Sequence, residues 1–223
     1  MAHSLPPNIS FGFIGTRAIV LDIASDRYFL LSGREAAAIS ELASGGAPPG
    51  DVIQLLEDRG LLSAGSGAPV APVRAPFLEA SALECDSKAG PIGMVEVASA
   101  RLRASAALRF AGIGLTIDRW RRRRDRTRAN QTTGTDARLA NGGSSAYLAR
   151  GFAETRLFVP ARRACVPDSL ALASCLWRRG ARADVFFGVR LDPFAAHCWV
   201  QDGPILLSDP LDIVREFCPV FRL

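Results

Sequence analysis

The first part of the chain shows short apolar segments separated by polar turns, a pattern typical of β-strands. The segments cover residues 9–14, 17–22 and 27–31. Small and acidic residues at 24–26 form a predicted turn between the second and third segments. We therefore expect three short strands near the start of the chain.

Two helices are predicted next, over residues 33–43 and 51–59. Ser32 and Glu35 have the spacing of a capping box at the start of the first helix. The residues expected to face inward from the two helices are Ala37, Ile39, Leu42, Val52, Leu55 and Leu56. Three strands followed by helices in so small a unit predict a winged helix-turn-helix over residues 1–62.

The middle of the chain contains a predicted linker and two further helices. Residues 63–76 are rich in Gly, Ala and Pro and predict the linker, which leaves residues 77–223 as a second domain. Apolar residues at helical spacing predict a helix over 91–124, ending in a run of arginines that suits the negative end of the helix dipole. Residues 144–158 also look helical, and the polar stretch 129–143 predicts a mobile loop between the two helices.

Another helix is predicted to begin at Cys165 and to close near Gly180. Pro167 suits a first helical turn, and the carboxylate of Asp168 suits the positive end of the helix dipole. Cys165 therefore lies at or just before a helix N-terminus. The dipole stabilises a thiolate at that position, which lowers the pKa of the thiol.

Three strand patterns follow this helix, over residues 183–189, 195–201 and 204–208. Asp202-Gly203 is a typical two-residue hairpin sequence and predicts the turn between the second and third strands. A helix followed by antiparallel strands predicts an α+β fold for this part of the chain.

Composition narrows the class of protein. Hydrophobic residues make up 48% and charged residues 22% of the 223 residues, which is typical of a globular protein. Much of the net charge of +5 lies at residues 119–128, where a solvated helix end is the favoured interpretation, so nucleic acid is not an expected partner. We find no apolar run long enough to cross a bilayer and no signal-peptide pattern at the start, so a cytoplasmic location is expected.

Cysteine usage argues against both a disulfide framework and a zinc site. The chain has five cysteines, an odd number, and no pair has CxxC spacing. We therefore expect reduced thiols and neither a metal nor another cofactor. The cysteines are Cys85, Cys165, Cys175, Cys198 and Cys218.

The chain contains two histidines, and one of them is the expected base for Cys165. His3 lies near the N-terminus, so His197 on the predicted strand 195–201 is the expected base. Asp209, after the next strand, is the expected acceptor for the other imidazole nitrogen, with Asp212 as the reserve acid.

The neighbours of these residues are expected to form the core. Cys175 lies inside the helix that starts at Cys165, and Cys198 points to the strand face opposite His197. Trp199 shares the face of His197 and is expected to shield or pack against it.

A cysteine at a helix tip and a histidine on a following antiparallel strand form the arrangement of papain-type and transglutaminase-type sites.

The residues around this site are similar to a known family. The segment C-V-P-D-S-L-A-L, starting at Cys165, the segment F-A-A-H-C-W-V, around His197, and D-P at Asp209 resemble the transglutaminase-like leader peptidases of lasso-peptide biosynthesis, the B proteins. The resemblance covers about residues 161–212 and implies that Cys165, His197 and Asp209 form a catalytic triad. It also implies a transglutaminase- or papain-like α+β cysteine peptidase domain.

Residues 1–62 resemble the PqqD-like recognition element of such pathways, through the segments G-F-I, R-Y-F-L-L-S and E-A-A-A-I. The resemblance implies that this unit binds the leader of a ribosomally made precursor by adding it as an extra strand. It further implies that the peptidase removes the leader before an asparagine-synthetase-like lasso cyclase closes the macrolactam. The implied leader-binding residues are Arg27, Tyr28, Phe29, Leu30, Leu31, Val52, Leu55, Leu56 and Arg59.

Three alternatives stay open from the sequence. The same triad would serve an acyltransferase if an amine replaced water as the acceptor. A non-catalytic peptide-binding or scaffold protein would deliver the precursor to the cyclase without using Cys165. A winged helix aided by the arginine run would bind DNA. Residues 77–158 would be either a helical bed for the catalytic sheet or a docking surface for the cyclase.

Overall fold

The computed structural model describes residues 3–65, 67–85, 88–132 and 142–223. The chain forms two compact units, and both contain helices and strands. The first unit comprises the chain up to Arg74 together with Cys218–Phe221, and the second comprises Ala75–Phe217 with Arg222–Leu223. The fold is thus mixed α+β, as the sequence predicts.

A short strand, β1 (His3–Ser4), opens the first unit, and an antiparallel sheet follows it. The sheet contains β2 (Ile9–Ile14), β3 (Arg17–Asp22) and β4 (Arg27–Leu31), in that spatial order and with the predicted bounds. A tight turn that includes Asp26 at a positive φ of 54° brings Asp22 opposite Arg27. Because β4 is last in the order β2, β3, β4, it is an edge strand of this sheet.

Helices α1 (Gly33–Ala43) and α2 (Gly50–Asp58) follow within one residue of the predicted bounds. The predicted capping box is wrong, because the side chain of Ser32 makes no hydrogen bond to the helix. Glu35 instead accepts a hydrogen bond of 2.8 Å from Arg59, which links the start of α1 to the end of α2.

The helices and the sheet enclose the core of the first unit. Most of the predicted inward-facing residues contribute to it, but Ala37 and Leu55 are exposed. The helices are turned so that Ala36, Ala38 and Ile53 are buried instead. The residues at the centre, each at most 1% exposed, include Phe11, Val20, Leu31, Ile39 and Leu56. Burial of each large side chain contributes about 1.5–3 kcal/mol.

The stretch predicted as a linker, residues 63–76, starts as part of the first unit. β5 (Ser63–Ala64) pairs antiparallel with β1. The backbone N–H of Val73 donates to the carbonyl of Phe11 at 2.8 Å, and Val70 is buried in the core. The Gly, Ala and Pro content thus marks an extended segment that is attached to this unit rather than a free tether.

The second unit begins with a short strand, β6 (Ala80–Ser81), and a long helix, α3 (Met94–Thr132). The helix is interrupted at Gly112, whose φ of 73° and ψ of 173° lie in a region that glycine adopts without strain. The predicted helix end near Arg124 is wrong, since arginine is a good helix former and α3 continues past the run. The predicted loop 129–143 lies largely outside the described residues.

Three further helices belong to the second unit: α4 (Gly142–Arg156), α5 (Cys165–Arg178) and α6 (Leu211–Arg215). α5 starts at Cys165, as predicted, and contacts α3 and α4. Every residue from Ser169 to Trp177 is buried, so this helix is enclosed on all sides. Within the described parts of the chain, no helix has the length and apolar character that crossing a membrane requires.

The sheet of the second unit contains β7 (Asp184–Leu191), β8 (Phe194–Asp202) and β9 (Ile205–Leu206), with β6 beside β9. β7, β8 and β9 are antiparallel, whereas β6 runs parallel to β9. The predicted hairpin turn is displaced by one residue, because Asp202 pairs with Ile205 and the turn is Gly203-Pro204. The last strand, β10 (Cys218–Arg222), contributes residues 218–221 to the first unit.

Two glycines allow α4 to approach the segment before α3. The backbone N–H of Gly90 donates to the carbonyl of Tyr147 at 2.7 Å. A Cβ atom at Gly151 would lie 2.0 Å from the carbonyl oxygen of Gly90, and one at Gly90 would lie 2.8 Å from the Tyr147 oxygen. Both clashes involve backbone atoms, so a side chain at either position would force the two segments apart.

Candidate active site

Cys165 is the first residue of α5, and the extended backbone of Ala164 (φ −152°, ψ 129°) turns the chain into the helix. Ser169 lies one turn later on the same face, where its hydroxyl donates to the carbonyl of Cys198 at 3.0 Å. This bond fixes α5 against β8, the strand that carries the predicted base. The half-buried thiol of Cys165 therefore faces the strand that contains His197.

The three residues predicted for the triad lie together. Cys165, His197 and Asp209 line one cleft, the His197 imidazole lowers the pKa of the Cys165 thiol, and His197 Nε2 is 3.1 Å from Asp209 Oδ1. Because Nε2 faces the carboxylate, Nδ1 is the ring nitrogen left for the thiol. The arrangement has the order of nucleophile, base and orienting acid that a thiol-dependent acyl transfer needs.

The environment favours the charged forms of the thiol and the imidazole. Burial opposes ionisation of Cys165, but His197 and the N–H groups of Cys198 and Val166 outweigh it and lower the pKa of the thiol. Burial likewise opposes charge on His197, but Asp209 and Cys165 outweigh it and raise the pKa of the imidazole to about 9. Both shifts favour the form of the pair in which the thiol has lost its proton and the imidazole holds one.

Two serines hold Asp209 in place. The hydroxyl of Ser208 donates to Asp209 Oδ2, and the buried hydroxyl of Ser81 donates to the Asp209 carbonyl at 2.7 Å. Asp209 is thus more than a turn former. The reserve acid, Asp212, accepts instead from the N–H of Ile213 at 2.9 Å, at the start of α6.

Aromatic rings enclose the imidazole. The ring of Trp199 lies 6.4 Å from that of His197, and the ring of Phe217 lies 5.3 Å from it, between centroids. Trp199 is only 2% exposed, and its indole N–H donates to Gln201 Oε1 at 2.8 Å. Trp199 shares the His197 face, as predicted, and both aromatic rings pack beside the imidazole.

The other buried cysteines are core residues. Cys175 and Cys198 are at most 1% exposed, as predicted. Burial raises the pKa of Cys175, and it raises that of Cys198 well above its ordinary value. These thiols stay protonated under conditions in which Cys165 is ionised.

The sequence patterns did not predict a charged cluster at the first turn of α5. Asp168 Oδ1 accepts from Arg101 Nε at 2.6 Å and from Arg156 Nε at 2.8 Å. Both arginines are buried, at 8% and 6% exposure. The sequence singled out Asp168 for its place at the helix dipole, but Arg101 and Arg156 carry no local signal. We name these three residues the Asp168 cluster.

A cleft of about 500 Å³ lies beside Cys165 in the second unit. Its wall is partly apolar, and charged residues from α4 and from the segment before α5 line the remainder. The apolar side chains include Leu83, Phe152, Leu172 and Leu207, and the arginines include Arg150 and Arg163. Such a cleft can hold an extended peptide or another acyl donor against the thiol.

The predicted leader-binding residues of the first unit fall into two groups. Leu31, Val52 and Leu56 are core residues with at most 5% exposure, so their assignment to a binding surface is wrong. Leu30 and Leu55 are exposed, at 52% and 45%. Tyr28 is half-buried, and the guanidinium groups of Arg27 and Arg59 lie 5.2 and 6.0 Å from the centre of the Phe29 ring.

A cysteine at a helix start, near a histidine on a strand whose imidazole contacts a carboxylate, is the arrangement found in thiol-dependent acyl-transfer sites. The chain belongs to the transglutaminase-like superfamily, whose family model matches residues 101–222, more than half of the sequence. That membership supports a general function of the cysteine-peptidase type. Neither a curated protein nor a solved structure matches the chain significantly.

Proposed function

We propose that the protein is a cysteine peptidase in which Cys165 is the nucleophile, His197 the base and Asp209 the orienting acid. The observation that carries this proposal is that Cys165, His197 and Asp209 line one cleft, with His197 Nε2 3.1 Å from Asp209 Oδ1. A lowered thiol pKa and a raised imidazole pKa are the values that this chemistry requires.

The proposed reaction has two steps. The thiolate of Cys165 attacks the scissile carbonyl carbon, and the C–N bond breaks as the imidazolium of His197 gives its proton to the leaving amine. Water then attacks the thioester while His197 takes a proton from it. The C–S bond breaks, the sulfur leaves as a thiolate, and the carboxylic acid product is released.

The oxyanion of each step needs hydrogen-bond donors near the sulfur. The backbone N–H groups of Val166 and Cys198 point towards the thiolate of Cys165. An acyl carbon bound to this sulfur places its oxygen beside the same region, at the positive end of the α5 dipole. These donors are our candidates for stabilising the oxyanion.

We propose further that the substrate is a lasso-peptide precursor and that the bond cut is the one between leader and core. This narrower proposal rests on the resemblance of the motifs around Cys165 and His197. The first unit would be a PqqD-like winged helix-turn-helix that binds the leader along the edge strand β4, beside the exposed Leu30 and Leu55. An asparagine-synthetase-like cyclase would take the freed core.

An acyltransferase is the second candidate, because the same site would release the thioester to an amine if water were kept out. Membership of the transglutaminase-like superfamily, which includes acyltransferases as well as cysteine peptidases, favours this candidate. The mass of the product separates the two, since hydrolysis leaves a free leader acid and transfer leaves an amide.

The decisive experiment is mass spectrometry of a precursor, taken from the neighbouring open reading frame, after incubation with this protein and its cyclase. We expect leader and core fragments with the wild type and none with Cys165→Ala. Cys85→Ala is the matched control, because Cys85 is exposed and lies outside the triad. Cleavage by Cys165→Ala at the wild-type rate would overturn the assignment, and an intact but bound precursor with the wild type would favour a scaffold.

Leader binding is tested separately at the first unit. Leu55→Asp places a charge on the exposed face of α2, and we expect about tenfold weaker binding of the leader, or about 1.4 kcal/mol. Val95→Asp is the control, since Val95 is also exposed but belongs to the second unit. Fluorescence anisotropy with a labelled leader measures the affinity of both variants. An equal loss of affinity in the two variants would contradict a leader-binding site at Leu55.

A further inference from the structure

The Asp168 cluster is unusual because it buries two positive charges around one negative charge. Arg101 and Arg156 are 8% and 6% exposed, and both donate to Asp168 Oδ1. Burying an ion costs several kcal/mol after relaxation, and an arrangement of this kind is weak evidence for stability by itself. Stability alone does not explain why these charges are buried, so the other hydrogen bonds of the three side chains are informative.

The remaining donors of Arg156 hold the segment that leads into the nucleophile. Arg156 Nη1 donates to the carbonyl of Val159 at 3.1 Å, and Nη2 donates to the carbonyls of Ala161 at 3.0 Å and Arg162 at 3.3 Å. One guanidinium thus fixes three backbone oxygens within the six residues before Cys165. A planar fork of five donors suits this task, whereas a lysine ammonium does not.

Asp168 holds the backbone immediately before the nucleophile. Its Oδ2 atom accepts from the N–H of Ala164 at 3.0 Å. Ala164 is the N-cap residue of α5 and has no side chain that could cap the helix. The carboxylate therefore orients the peptide that joins Ala164 to the preceding segment, and the two arginines orient the carboxylate.

Arg101 contributes less to the segment than Arg156. Its Nη2 atom donates to the Arg162 carbonyl at 3.0 Å, and another donor is used by Ser105 on its own helix. The two arginines thus carry the same charge, touch the same Asp168 oxygen and differ in how many carbonyls before Cys165 they hold.

We infer that Arg156 and Asp168 are positioning residues that aim the Cys165 thiol at His197 by fixing residues 159–164. The inference rests on the proposed function only in taking Cys165 as the nucleophile. Arg156 touches neither Cys165 nor His197 among the bonds described, so it acts through the backbone. A small movement of this segment would lengthen the distance from the thiol to the imidazole and reduce the fraction of thiolate.

The test compares Arg156→Met with Arg101→Met. Each substitution removes one buried positive charge and leaves one arginine paired with Asp168, so the two variants have the same net charge. The readout is the rate of Cys165 alkylation by iodoacetamide between pH 5 and 10, followed by peptide mass spectrometry. Circular dichroism checks that each variant is folded.

We expect Arg156→Met to slow alkylation at neutral pH by about tenfold and to move its midpoint to higher pH, and Arg101→Met to change the rate less than about threefold. Equal changes in both variants would show that charge and not the carbonyl contacts controls the thiol, and they would overturn the inference. No change in Arg156→Met, or a larger change in Arg101→Met, would overturn it as well.

A milder substitution covers the case in which Arg156→Met fails to fold. Arg156→Lys keeps the charge but loses the fork, and we expect alkylation slower than in the wild type. A wild-type rate in Arg156→Lys would overturn the inference. Alkylation needs no peptide substrate, so a failure of the proposed function, seen as absent cleavage by the wild type, is distinguishable from a failure of this inference.

Discussion

The cores of the two units differ in what they bury. Among the residues that the structure describes, Ser4 is the buried polar residue of the first unit. The second unit buries two arginines, an aspartate, a glutamine and several serines. An apolar core fixes a shape at little cost, whereas the burial of charged groups costs stability. The buried polar and charged residues therefore lie mostly in the unit that contains Cys165, His197 and Asp209.

The largest expected effect comes from the base in the second unit. His197→Ala should lower the peptidase kcat by about 10⁵-fold, because the thiol loses its proton acceptor and the leaving amine its proton donor. His3→Ala is the matched control, since His3 is the other histidine of the chain and contacts Glu57 in the first unit. Turnover of the precursor by mass spectrometry measures both. A comparable loss of kcat in His3→Ala would contradict the placement of the catalytic base in the second unit.

A smaller effect is expected at the orienting acid. Asp209→Asn should lower kcat by about 10³-fold, because the neutral amide no longer fixes the tautomer or stabilises the imidazolium. Asp212→Asn is the control, since Asp212 contacts the start of α6 and not His197. If Asp212→Asn proved the more damaging change, the triad would have to be reassigned.

The same variant tests the electrostatics through pH. In the wild type, the carboxylate of Asp209 helps to raise the pKa of His197 to about 9, so activity should fall as the pH rises through about 9 and the imidazolium loses its proton. Removal of the negative charge lowers the pKa of His197, so the falling limb of Asp209→Asn should lie at lower pH. The pH profile of the residual kcat measures this shift, and an unchanged limb would contradict it.

The smallest of these effects concerns stability in the first unit. Leu56 is fully buried and Leu55 is 45% exposed, although the two are adjacent on α2. Leu56→Ala should lower the free energy of unfolding by about 3 kcal/mol, and Leu55→Ala by less than about 1 kcal/mol. Hydrogen exchange of the β2–β4 amides measures both. Equal effects would mean that the core is not packed as described.

Local patterns predicted the first unit well because its elements are short and specified by neighbouring residues. The bounds of β2, β3, β4 and α1 follow from alternation, turn residues and helical spacing. What the patterns missed was the rotation of the helices about their axes. Ala37 was expected inside and is exposed, since tertiary packing chose the neighbouring Ala36 and Ala38.

The site was predictable where its signals are local. Pro167 and Asp168 mark the helix start that holds Cys165, and the scarcity of histidine points to His197. The Asp168 cluster was not predictable, because Arg101 lies 67 residues from Asp168 in the sequence and resembles any surface arginine of a helix. The same holds for Ser81, which reaches the Asp209 carbonyl across 128 residues. Contacts of this kind exist only once the chain is folded.

The contact between Gly90 and Gly151 has a consequence for mutational scanning. A side chain at Gly151 would meet the Gly90 carbonyl at 2.0 Å, so even alanine should be rejected there. Gly151 lies between Arg150 and Phe152, which line the cleft, but glycine has no side chain that could contact a substrate. A tolerance map of this chain would rank Gly151 with Cys165 and His197, and only a stability measurement on each variant would separate steric intolerance from loss of chemistry.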